Sequence, residues 1–179
     1  MSRFLFGVIK HEIYSPYEGK ENIDKFTDFL YAIQKIAVEQ KLTILIDAVQ
    51  SNDPNDEDLY KCIPEHLKND GSAFSFMIVR APNDTTSDNL FGDWEYDSWR
   101  ESYVPGQAKV FKELESFIAQ VFALDEVNSL WLRYQGMFAC DVNKLATIAD
   151  LEAQIYKQCS NGELFEVSDF EISLEKEEK

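Results

Sequence analysis

The run Arg3-Phe-Leu-Phe-Gly-Val-Ile-Lys-His-Glu-Ile13 sets the first constraint on the fold. Read as an extended strand, it turns Phe4, Phe6 and Val8 to one side and Leu5 and Ile9 to the other. A strand that is apolar on both sides needs cover on both sides, so it belongs inside a layered sheet. Leu42–Gln50 reads as a second buried strand, and Ala73–Arg80 as a third with Phe74, Phe76 and Ile78 on one face. In residues 129–136, Leu130, Leu132 and Tyr134 alternate with Trp131, Arg133 and Gln135, which predicts a half-buried strand. A last strand, or pair of short strands, is expected within residues 163–174.

Helical periodicity separates these runs. Asn22 precedes a stripe of Ile23, Phe26, Leu30, Ile33 and Ala37, with Lys41 at its close. A second helix is expected over Gln107–Leu124, with Val110, Leu114, Phe117, Ile118 and Val121 inward. A third is expected over Val142–Gln158, capped by Asp141, with Leu145, Ile148, Leu151 and Ile155 as its stripe and Asn161-Gly162 beyond its end. Pro105-Gly106 reads as the end of a long loop from Ala81. The order β-α-β-β-α-β-α-β predicts an α+β fold. Its first six elements match a split β-α-β, ferredoxin-like order: a mainly antiparallel sheet with two to three helices on one face. An extra C-terminal helix and strand would extend it. The 179 residues fit a single domain over 1–174, with 175–179 a solvated tail.

Charge narrows the function. Thirty-three acids face seventeen bases, for a net charge of -16. Nucleic acid and anionic membrane would be repelled over most of such a surface, whereas a basic protein would be attracted. Acidity for solubility alone is the competing explanation. No apolar run is long enough for a transmembrane helix, and the apolar start gives way to His11-Glu12 rather than to a cleavage site. Cys62, Cys140 and Cys159 are widely spaced and odd in number, which points to a reducing cytoplasm.

Reaction motifs are missing. There are two histidines, His11 and His66, and no G-x-S-x-G elbow or glycine-rich phosphate loop. The acid cluster Asp53–Asp58 is not an EF-hand loop, because Asp58 stands at the sixth position where glycine is needed and Pro64 at the twelfth where glutamate is needed. No metal or cofactor is expected. A small enzyme using a carboxylate, or Cys140 near a helix start, in a pocket beside residues 91–103 is the alternative reading.

The stretch Phe91–Pro105 instead suggests binding. Asp93, Glu95, Asp97 and Glu101 alternate with Trp94, Tyr96 and Trp99. Tryptophan and tyrosine dominate binding hot spots, and carboxylates beside them suit a partner's Lys and Arg. Asp53, Asp56, Glu57 and Asp58 form a second acidic region. Together they predict a non-enzymatic, acidic protein-binding domain. Its most concrete form is a cytoplasmic immunity protein that inhibits a cationic toxin such as a nuclease. A DNA mimic directed at a DNA-binding protein is a related form.

Overall fold

In the computed structural model, which describes residues 4–13, 16–48, 63–68, 71–80, 99–135, 142–161 and 169–176, the opening run is strand β1, Phe4–His11. It lies in the interior of a six-stranded sheet, as its two apolar sides require. The other strands are β2 (Thr43–Ala48), β3 (Ala73–Arg80), β4 (Val127–Gln135), β5 (Val142–Leu145) and β6 (Asp169–Glu175). Their spatial order is β2-β3-β1-β4-β6-β5. Every neighbouring pair is antiparallel except β5 and β6, which are parallel. The protein is thus an α+β fold on a mixed sheet. β3 is inserted between β1 and β2, so helix α1 (Lys20–Glu39) crosses an intervening strand.

Three helices lie on one face. From α1 come Phe26, Phe29, Ile33 and Ala37, from α2 (Trp99–Phe122) Phe111, Leu114, Phe117, Ile118 and Val121, and from α3 (Ile148–Asn161) Ile148 and Leu151. They meet Leu5, Ile9, Phe74, Phe76, Ile78, Leu130, Leu132, Tyr134, Phe170 and Ile172 from alternate positions of four strands. The α1 stripe differs from expectation at two places. Phe29 is in the core, and Ile23 is 44% exposed because it precedes the turn that reaches the sheet.

How α1 stops explains where β2 begins. Lys41 takes a left-handed φ of 59°, its N–H donates to Val38 O at 2.9 Å, and Leu42 N–H donates to Ala37 O at 2.8 Å. This is a Schellman closure, with buried Leu42 packing as the residue after the turn. On the exposed side of α1, Lys25 Nζ donates to Glu21 Oε1 at 2.8 Å, and this hydrogen bond and charge hold the Glu21 carboxyl below its usual range.

Two helix starts differ from the sequence expectation. α2 begins at Trp99 rather than Gln107. Pro105 removes one N–H, yet its fixed φ is close to helical, and Arg100, Glu101, Ala108 and Lys109 around it are good helix formers. In the C-terminal part, Val142–Leu145 is strand rather than helix, and α3 starts six residues later than expected, at Ile148. The cap is Thr147, not Asp141. Asp150 N–H donates to Thr147 Oγ1 at 3.1 Å, and Thr147 N–H donates to Asp150 Oδ2 at 3.0 Å, a reciprocal capping box. Thr147→Ala is expected to cost about 1 kcal/mol in urea-induced unfolding, with Thr147→Ser close to wild type. Equal stability of all three proteins would remove the cap from the account.

Candidate functional site

The sheet face away from the helices is built from the other alternate positions. At its centre Phe6, Val8, Ala73 and Trp131 pack under Ile63 and Leu67, with Met77 half-buried beside them. Leu67 closes a short 3-10 turn, Glu65–Leu67, and Ile63 precedes it. The Phe6 and Trp131 rings meet edge to face at 5.6 Å. β4 is therefore buried on both faces rather than on one, and Trp131 and Arg133 are core residues.

Beside this apolar patch sits a buried ionic cluster. Arg133 is 7% exposed and Asp169 0%. Arg133 Nη2 donates to Asp169 Oδ2 at 2.7 Å, and its Nη1 lies 4.0 Å from Glu171 Oε2. Lys144 Nζ, exposed on β5, lies 3.4 Å from Glu171 Oε1. The register explains the meeting: Arg133 stands opposite Glu171 across β4 and β6, and Lys144 opposite Glu171 across β5 and β6. Two cations and two carboxylates cancel. The cluster ties three strands together, including the parallel pair, by charge-assisted bonds that a slipped register would break. Trp131 Nε1 and Arg133 Nε are buried on this face with no hydrogen-bond partner among the described residues. Sequence reasoning missed the cluster. The signal was an arginine inside an apolar strand and acids at alternate positions of another, but only the strand order joins them.

The rest of the polar inventory lies elsewhere. His11 is buried on the helix side, with its ring 5.1 Å from Phe26, 5.8 Å from Phe29 and 6.1 Å from Phe74. The sheet separates it from Arg133. His66 lies on the exposed side of the short turn. Among the described residues no three His, Cys, Asp or Glu side chains gather to hold a metal, and no helix is long and apolar enough to cross a membrane.

Asp53, Asp56, Glu57, Asp58, Asp93, Trp94, Glu95, Tyr96 and Asp97 lie outside the described residues, as does Cys140. Trp99 and Glu101 belong to the first turn of α2 and not to a loop. Charge is divided unevenly along the sequence. Segments 49–62 and 81–98 alone contain nine acids and a single base, Lys61. One follows β2 and the other follows β3, the two strands at one side of the sheet. The chain matches no protein-family model, no curated protein and no solved structure.

Proposed function

We propose that the protein is an acidic binding module that captures a basic protein, most concretely as a cytoplasmic immunity protein neutralising a cationic toxin such as a nuclease. The observation that carries this reading is the division of charge. A chain acidic for solubility alone would spread its excess acids over the whole surface. Here residues 49–62 and 81–98 hold nine of the thirty-three acids against one of the seventeen bases, and in the second stretch the acids are interleaved with Phe91, Trp94 and Tyr96. Connecting segments are where binding residues concentrate. A nuclease presents positive charge to hold phosphate, and fixed carboxylates compete for that surface. Long-range attraction raises association rates by about 10–1000-fold at low salt, and aromatic anchors slow release.

The test compares two charge reversals of equal size. Asp93→Lys with Asp97→Lys changes the acid-rich segment. Asp24→Lys with Asp28→Lys changes exposed positions of α1. A basic protein captured from source-cell extract on immobilised wild type, eluted with salt and purified, serves as the probe. Its association with the 93/97 variant is expected to slow about tenfold or more at low salt, while the 24/28 variant stays within about twofold. Equal slowing by both variants would mean that net charge alone acts, and the solubility explanation would stand.

A further inference from the structure

We draw no further inference here: the strongest candidate, the pair of buried donors Trp131 Nε1 and Arg133 Nε on the helix-free side of β4, carries nothing, because no described residue shows which acceptor would meet them.

Discussion

Arg133→Met is expected to lower the free energy of unfolding by about 3–5 kcal/mol, the loss of midpoint temperature being about 10 °C for a chain of this size. The Asp169 carboxylate is fully buried, and Arg133 supplies its cation at 2.7 Å. Methionine fills much of the arginine stem's volume, so the loss is not a cavity effect. It is the cost of leaving a buried carboxylate with its cation removed, which exceeds what the ion pair itself contributes. The paired variant separates these quantities. Arg133→Met with Asp169→Leu removes both charges, and replacing a buried ion pair with apolar residues is often neutral or stabilising. It is expected to recover most of the lost stability. Urea unfolding of the three proteins checks the cycle. A single variant within about 1 kcal/mol of wild type would show that Asp169 does not depend on Arg133.

Arg133 also marks where sequence and structure part. The apolar faces were legible because they are local: Phe74, Phe76 and Ile78 repeat every second residue, and Leu114, Phe117, Ile118 and Val121 fall on one side of a helix. These are the residues that the core uses. The segment Val142–Gln158 misled because Leu145, Ile148 and Leu151 fit a helical stripe, while the same spacing is satisfied by a strand ending in Leu145 and a helix starting at Ile148. What decides is β6, which gives Val142–Leu145 a ladder to join. That partner lies more than twenty residues away, outside any local window. The Thr147–Asp150 capping box was present in the sequence as a Thr-x-x-acid pattern just before the apolar residues of α3, and the more prominent Asp141 hid it.

Composition and position in the sheet divide in the same way. The acid-rich segments are visible as composition, because charge needs no structure to be counted. The edge is not. β2 is an edge only because β3 inserts between it and β1, and no stretch of sequence states that order. Read alone, Thr-Ile-Leu-Ile resembles any buried strand. Leu45 becomes an exposed apolar side chain only through its place at the end of the sheet.

Gly7→Ala is expected to destabilise by about 3 kcal/mol, the upper part of the usual range for overpacking, and Gly7→Val to leave no cooperative unfolding transition. Gly7 is the midpoint of β1, opposite Phe76 on β3 and Leu132 on β4. A Cβ there would stand 2.6 Å from Trp131 O and 2.7 and 2.8 Å from Phe76 Cε1 and Cζ. Alanine gains about 0.5–1 kcal/mol over glycine by restricting the unfolded chain, and the clash outweighs that gain. The Phe76 ring can rotate only by leaving Phe117 of α2, which it meets edge to face at 6.0 Å. The Trp131 carbonyl has no rotamer at all; it moves only with the backbone of β4. Phe76→Leu introduced beside Gly7→Ala relieves the ring contact but not the carbonyl, so it is expected to recover less than half of the loss. Urea unfolding of the single and double variants measures both contributions. A loss below about 1 kcal/mol for Gly7→Ala would show that β1 and β4 can separate without disturbing the core, and the close approach would then not be what requires glycine at this position.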